Sequence, residues 1–293
     1  MIPQTKTAFI NSTKSLHVEE PTDEEFESFR KLVLAELGLN WAGDKKYLLY
    51  ARLQRRLQYL KLSTFRDYHD YLQNQNKGVE LQHLYNAVTT TKSGFYREKQ
   101  HFEFLRQEIF PEMKEQMIRK RKKMRFWSAG CSCGEEPFNM AIEAYDFLGS
   151  KLTSGGGLRI LASDVNTAVL KSAEKGLYTF EQVSNVPVEF RKRYFDSGYG
   201  LQKENFWIRM DIKKLIQFRH FNLMSSEYPI ATKFQLIFCR NVLYYFDPEK
   251  REQLINRLVS NLDDQGLLVL GITESGYRVN GMQKLSYCIY RKN

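Results

Sequence analysis

The stretch Arg125-Phe-Trp-Ser-Ala-Gly-Cys-Ser-Cys-Gly-Glu-Glu-Pro137 joins three kinds of local sequence. Arg125 to Ser128 reads as a short strand. Gly130 to Gly134 is built of small side chains and reads as a tight turn. Glu135-Glu-Pro137 opens a helix. Acids there complement the positive end of the helix dipole. A proline is tolerated in a first turn, where its missing N–H would have no partner. Strand, small-residue turn and helix form one βαβ element, and small side chains let a ligand approach the backbone. Many α/β proteins share that much.

Further along, Gly155-Gly-Gly157 precedes a second strand, Leu158 to Ser163. Phe218 to Asn222, Gln235 to Cys239 and Gly266 to Ile272 read as further strands, and Ser286 to Arg291 closes the chain. A helix over His101 to Lys120 and a basic run, Arg119 to Lys123, come before the first strand. Short apolar strands alternating with helices predict an α/β fold with a parallel, doubly wound sheet. Phe206-Trp-Ile-Arg-Met210 alternates, and predicts a strand in a small antiparallel β insertion over residues 183–217, with Gly198 and Gly200 at its turn.

Two further features turn the βαβ element into a site. Leu161-Ala-Ser-Asp164 places a carboxylate at the end of the second strand, where an acid can accept both ribose hydroxyls of an adenosyl group. The turn lacks G-x-G-x-x-G, and two acids at a helix start oppose a phosphate. A cationic, phosphate-free nucleoside fits better. S-adenosylmethionine carries a sulfonium and an ammonium, and Glu135 can serve the ammonium. Simple complementation of the helix dipole by Glu135 and Glu136 is the other reading. The second feature, Phe238-Cys-Arg-Asn-Val-Leu-Tyr-Tyr-Phe-Asp247, directly follows the fourth strand. Arg240, Asn241, Tyr244 and Tyr245 therefore fall at the ligand edge of the sheet, with one tyrosine expected to serve packing alone.

The amino-terminal part has a different texture. Residues 1–20 are polar and unpatterned, and read as a flexible arm. Thr22 and Glu25 have capping-box spacing, and Phe26, Phe29, Val33 and Leu37 recur at helical intervals up to Gly38. A second helix from about Asp44 to Leu60 carries Leu49, Leu53, Leu57 and Leu60 on one stripe, with Lys45, Lys46, Arg52, Arg55 and Arg56 crowding the rest. Ser63 is placed to cap a third helix holding Phe65, Tyr68 and Leu72, and a fourth runs from about Val79 to Val88. Residues 21–90 thus read as a helical domain, and residues 91–293 as the α/β domain.

Composition bounds the class. With 293 residues, 42% apolar and 27% charged, the chain is long enough for one large or two modest cores. No apolar run approaches the roughly 18 residues that span a bilayer, and Met1 to Glu20 lacks the stretch of a signal peptide. A cytoplasmic protein is expected. The net charge of +10 suits a nucleic acid, an anionic surface or an acidic protein without choosing among them. Cys131 and Cys133 form one close pair, Cys239 and Cys288 form none, and the five histidines are scattered. That pattern predicts reduced thiols and no metal site.

Taken together, these segments resemble the chemotaxis receptor glutamate O-methyltransferases, the CheR family, from about Phe26 to Lys292. The likeness is carried by Asn86-Ala-Val-Thr-Thr-Thr-Lys-Ser-Gly-Phe-Tyr-Arg97, Trp127 to Pro137, Ala162-Ser-Asp164, Ile237-Phe-Cys-Arg-Asn-Val242 with Tyr245-Phe246, and Gly271-Ile-Thr-Glu-Ser275. It implies a Rossmann-like class I methyltransferase sheet with an all-helical N-terminal domain and a small antiparallel β insertion. It also implies cofactor contacts at Thr91, Ser93, Arg97, Glu135, Asp164, Asn222, Leu223, Arg240 and Asn241. Thr91 stands where the family more often has Asn, and Ser93 where it has Thr. Cys131 and Cys133 are taken as tolerated small residues.

The implied reaction moves a methyl group from S-adenosylmethionine to a receptor glutamate, giving a methyl ester and S-adenosylhomocysteine. A glutamate with a pKa near 4.3 is already ionised at neutral pH, so no general base is required. Arg97 is assigned to orienting the substrate carboxylate and Tyr245 to lining the transfer position. Arg52, Arg55 and Arg56 are assigned to docking the acidic cytoplasmic helices of methyl-accepting receptors. The insertion is the family's candidate for gripping a receptor peptide by strand addition. A monomer is expected, reaching the membrane only through receptors, with no fused repeat domain. A nucleic-acid methyltransferase is the competing enzyme, but amino-group methylation often uses an Asn/Asp-Pro-Pro-aromatic turn, and Asn241-Val-Leu-Tyr has no prolines. A non-catalytic cofactor-binding regulator predicts lost contacts, whereas Asp164, Glu135, Arg97 and Asn241 are all present.

Overall fold

A computed structural model of the chain describes residues 16–41, 45–74, 77–200 and 203–293. The chain divides into two compact units, one of residues 1–31 and 42–88, the other of residues 32–41 and 89–293. Residues 1–15 of the expected arm and Asp44, the expected start of the second helix, lie outside the described residues.

The first unit is helical, with α1 (Asp23–Leu37, whose end belongs to the second unit), α2 (Lys46–Leu60), α3 (Phe65–Asn74) and α4 (Lys77–Val88). The capping box of α1 is formed: Glu25 N–H donates to Thr22 Oγ1 at 3.2 Å, and Thr22 N–H to Glu25 Oε2 at 2.7 Å. Phe29 meets Phe65 edge-on and stacks on Tyr68, each at 5.9 Å between centroids. Leu49, Leu53 and Leu57 are buried as one stripe of α2, since residues three and four apart share a helix face. Two details differ from the sequence reading. Thr64, not Ser63, caps α3, accepting Asp67 N–H at 3.1 Å. Part of the expected arm is also packed: Val18 is buried, and Glu19 N–H donates to Ser63 O at 2.9 Å.

The second unit opens with α5 (Gln100–Phe104), a π-helical turn (Leu105–Ile109) and α6 (Phe110–Arg119). The sequence predicts one helix here. Pro111 has no N–H for the carbonyl one turn back, and the helix widens just before it. Next come β1 (Met124–Ala129), α7 (Glu135–Leu148), α8 (Ser150–Thr153), β2 (Leu158–Asp164) and α9 (Thr167–Lys175). A small three-stranded antiparallel sheet follows: β3 (Leu177–Thr179), then α10 (Phe180–Val183), α11 (Val188–Tyr194), β4 (Phe195–Ser197) and β5 (Asn205–Ile208), in the order β3-β5-β4. Its first strand lies upstream of residue 183. The chain finishes with α12 (Met210–Lys213), β6 (Ile216–His220), β7 (Phe234–Cys239), α13 (Pro248–Ser260), β8 (Leu262–Leu270), β9 (Met282–Ser286) and β10 (Ile289–Lys292).

The main sheet has the order β6-β2-β1-β7-β8-β10-β9. The first five strands in that order run parallel. β10 is antiparallel to β8, and β9 to β10, so the parallel sheet read from the sequence carries an antiparallel edge. Side chains alternate across it. Phe126, Phe238 and Val269 enter one core with Phe102, Phe110 and Phe138. Trp127, Ile237, Leu268 and Leu270 enter the other with Leu254 and Leu258 of α13. The chain goes from β1 outward to β2 and β6, then returns to the opposite side of β1 as β7. Open α/β sheets hold ligands beyond the strand ends at such a reversal.

Candidate active site

The turn after β1 is wound by three left-handed residues, Gly130 (φ 81°), Ser132 (φ 48°) and Gly134 (φ 93°). A Cβ at Gly130 would come within 2.8 Å of Val242, in the loop after β7, so only glycine fits at this crossing. The N–H groups of Gly130 and Cys131 both donate to Ser163 O at 2.9 Å, fastening the turn to the end of β2. Ser132 N–H donates to Asp164 Oδ2 and Asn166 N–H to Asp164 Oδ1, each at 2.9 Å. A carboxylate oxygen has more than one lone pair, so Asp164 is aimed by the main chain and can still accept hydroxyls. Burial pushes its carboxyl up, against these amide donors. Ser132 Oγ donates to the carbonyl of Thr91 at 2.8 Å, which brings the Thr91 segment to the turn.

The two acids that open α7 diverge. Glu136 is committed within the protein: Ser128 Oγ donates to its Oε1 at 2.7 Å and Arg240 Nε to its Oε2 at 2.8 Å. Glu135 is 3% exposed, and its Oε2 has no hydrogen-bond partner. Burial raises its carboxyl, and the Ser93 side chain opposes this. A buried acceptor without a donor is costly unless a ligand supplies one. An ammonium group satisfies that requirement, so these residues fit S-adenosylmethionine.

Arg240 is turned inward. Its guanidinium pairs with Glu136, lies 3.5 Å from Glu98 Oε2, donates to the Arg97 carbonyl at 2.8 Å and faces His101 Nδ1 at 3.2 Å. It also covers the rings of Phe102 and Phe238. The side chain that the sequence puts among the cofactor contacts thus forms the wall behind Arg97. His101 is fully buried and its ring is pulled down to about 4 by burial and by Arg240. It stays neutral at pH 7, with its Nε2 facing Tyr287 O at 2.8 Å. Burial likewise raises the thiols of Cys131 and Cys133, which disfavours thiolate nucleophiles.

At the mouth, Tyr244 donates its hydroxyl to Tyr245 at 3.2 Å, and their rings lie 4.3 Å apart. The Tyr244 phenol is pushed up to about 12 by burial and by Tyr245, with the Arg97 charge opposing, so Arg97 shares this mouth. Asn241 has φ 59°, and its Nδ2 lies 3.2 Å from Glu98 Oε1. Both ends of the Asn222 amide are engaged: Nδ2 donates to Glu36 O at 2.8 Å, and Oδ1 accepts Met224 N–H at 2.9 Å. β6 ends at His220, two residues before the sequence reading, so Asn222 and the buried Leu223 lie just past a strand end.

The docking trio belongs to the first unit and separates by environment. Arg52 donates to the Val88 carbonyl. Arg56 binds Glu80 with both arms of its guanidinium, at 2.9 and 2.5 Å, and Tyr68 hydroxyl adds a third bond to that buried carboxylate at 2.8 Å. Arg55 alone is exposed. Of the three arginines expected to dock receptors, Arg52 and Arg56 are thus engaged within their own unit, where Arg56 ties α2 to α4.

Sequence reasoning missed Glu98, His101 and Glu274. No local pattern marks the first two. Glu274 sits three residues after Gly271, a capping-box interval that could have drawn notice.

Comparison with known proteins agrees with this arrangement. Residues 91–288 match the family model "CheR methyltransferase, SAM binding domain", and residues 24–89 match "CheR methyltransferase, all-alpha domain". The chain is 32% identical over 276 residues to a chemotaxis protein methyltransferase of Borreliella burgdorferi, covering 93% of this chain and 95% of the relative. It is 34% identical to chemotaxis protein methyltransferase 2 of Pseudomonas aeruginosa, covering 87% of each. It is 33% identical to the chemotaxis protein methyltransferase of Escherichia coli, covering 87% of this chain and 85% of that one. With both halves matched in order and relatives aligned along nearly their full length, the chain belongs to the CheR family of S-adenosylmethionine-dependent methyltransferases.

Proposed function

We propose that this enzyme methylates glutamate side chains of chemotaxis receptors, forming methyl esters. The reading follows the names of its relatives. The observation that carries it within the site is the unpartnered, buried Glu135 beside an Asp164 aimed by main-chain amides. When bound, S-adenosylmethionine supplies an electrophilic methyl group. Glu135 holds its ammonium and Asp164 its ribose hydroxyls, with Thr91, Ser93, Asn222, Leu223 and Asn241 lining the same cleft.

Arg97 orients the acceptor carboxylate, and Tyr245 lines the transfer position. An ionised carboxylate needs no base, which suits a site whose buried histidine, His101, is held neutral by burial and by Arg240. Alignment and removal of water are then the main tasks. Arg240 assists from behind by holding the Arg97 carbonyl. Helical residues 21–90 serve docking, through Arg55 foremost, and residues 91–293 serve transfer. The enzyme works as a cytoplasmic monomer, meets membranes only through its receptors, and does not use nucleic acid as acceptor.

The test is methyl transfer from labelled S-adenosylmethionine to receptor-containing membranes. The expected product is label in receptor protein, released by mild base. Label appearing in nucleic acid, or in base-stable form, would overturn the reading.

A further inference from the structure

The loop carrying Asn241, Tyr244 and Tyr245 has one anchor that the assigned residues do not account for. Asn241 is left-handed, and a 3₁₀ turn from Leu243 to Tyr245 follows. The N–H groups at the start of such a turn have no internal partners. All three fall on one carboxylate. Asn241 N–H donates to Glu274 Oε2 at 3.0 Å, and Val242 and Leu243 N–H donate to Oε1 at 2.9 and 2.7 Å. Gly271 N–H adds a fourth bond to Oε2 at 2.6 Å. Glu274 is fully buried, and burial raises its carboxyl against these four amides.

The surroundings leave this anchor little slack. A Cβ at Gly271 would meet Asn241 Nδ2 at 2.7 Å and Glu274 Oε2 at 2.9 Å. At the far end of the loop, Asn40 N–H donates to Tyr245 O at 2.7 Å, and Asp247 N–H to Gly38 O at 3.2 Å. Glu98 Oε1 accepts from Asn241 Nδ2 and from Ile272 N–H, each at 3.2 Å. Main-chain bonds thus fix both ends of the segment, and a single charged acceptor supplies those at its start.

We propose that Glu274 is a positioning residue for methyl transfer, setting the 241–245 turn so that Asn241 and Tyr245 face the reacting groups. This role rests on the methyltransferase reading above. The Glu274 carboxylate binds the main-chain amides of Asn241, Val242, Leu243 and Gly271. In-line transfer tolerates little drift, and a displacement of about 1 Å can cost about 10²-fold in rate.

Two variants test it, Glu274→Gln and Gly271→Ala, assayed with S-adenosylmethionine and receptor-containing membranes beside the parent. Glutamine offers one oxygen and turns an amine toward N–H donors. Alanine keeps the carboxylate but wedges it from Asn241. Expected for Glu274→Gln is a fall in kcat of about 10- to 100-fold per folded molecule, with receptor KM within about twofold. Gly271→Ala should show a smaller fall of the same kind. A purely structural residue would lower the melting temperature and leave kcat per folded molecule unchanged. That result in either variant overturns the proposal, and Gly271→Ala decides alone if Glu274→Gln does not fold. A parent that transfers no methyl groups to receptors overturns the function and this role with it. A parent and a variant that transfer equally well overturn the role alone.

Discussion

Asp164 accepts the backbone N–H of Ser132 at 2.9 Å, and Ser132 is one of the few non-glycine residues here with a positive φ. The strand end and the glycine turn are therefore locked by a main-chain donor that no side-chain substitution at Ser132 other than proline removes. Asp164→Asn can set its amide nitrogen opposite that N–H, donor against donor, and it loses the charge that strengthens both bonds. The dissociation constant for S-adenosylmethionine should rise about 10- to 100-fold, corresponding to one charged hydrogen bond of about 1.5–3 kcal/mol. Titration calorimetry gives the value directly.

Arg55 and Arg56 are neighbours in sequence with opposite roles. Arg56→Ala leaves Glu80, whose side chain is 3% exposed, without its paired guanidinium and with the neutral Tyr68 hydroxyl still donating to it. Because the arginine is partly solvated, the expected loss is about 1–3 kcal/mol, below the range for a fully buried pair. The Glu80 carboxyl sits below its ordinary value, since Arg56 and Tyr68 outweigh the effect of burial. Its stabilisation is present above the unfolded value near 4.5 and is lost as pH falls through the lower folded value. Thermal unfolding of the parent should therefore show a drop below pH 4.5 that Arg56→Ala reduces. Arg55→Glu should leave unfolding unchanged and raise the receptor KM.

Glu135 gives the opposite sign. Burial raises its carboxyl above 4.5, so the charged form carries a cost in the folded chain above that raised value. Protonation relieves the cost but removes the partner for an ammonium. Cofactor affinity should fall as pH is lowered through the raised value. Glu135→Gln should bind about tenfold or more weakly and lose this pH dependence, since one charge-assisted bond is gone. Calorimetry at several pH values distinguishes the two forms.

His101, the histidine buried against Arg240, is a poor base. It titrates near 4, behind Arg240. With cofactor saturating, kcat should stay flat from about pH 6.5 to 8.5, because the acceptor carboxylate is ionised throughout. A limb with a midpoint near 6.5 would point to a histidine base.

How much of this was legible in the sequence depended on how local the deciding rule is. Asp164 and Glu135 follow from a strand end and a helix start, each set by a few neighbouring residues. Periodicity likewise marked Leu49, Leu53 and Leu57 as one face of α2. Long side chains were another matter. Spacing put Arg240 at the ligand edge and Arg56 on a basic helix face, but it says nothing of which carboxylate a guanidinium will find. Both found buried ones far away in sequence, Glu136 and Glu80. Glu274 was hidden for a related reason: its partners are main-chain amides, which every sequence has. The split of the 101–120 helix traces to Pro111, whose meaning depends on whether the turn before it can widen.

β9 lies at the outer edge of the main sheet and joins it only through β10, which follows it in the chain. β8 likewise waits for β10 to cover its outer edge. During synthesis β9 emerges with no partner available. The hairpin of β9 and β10 must close, or β10 must dock first, before either can complete the sheet. Short hairpins close in about 1–10 μs, so this step is fast once both strands exist. Until then β8 keeps an exposed strand edge, the kind of surface that recruits foreign strands. The turn between Ser286 and Ile289, with its left-handed Cys288, is thus where late folding and resistance to aggregation meet.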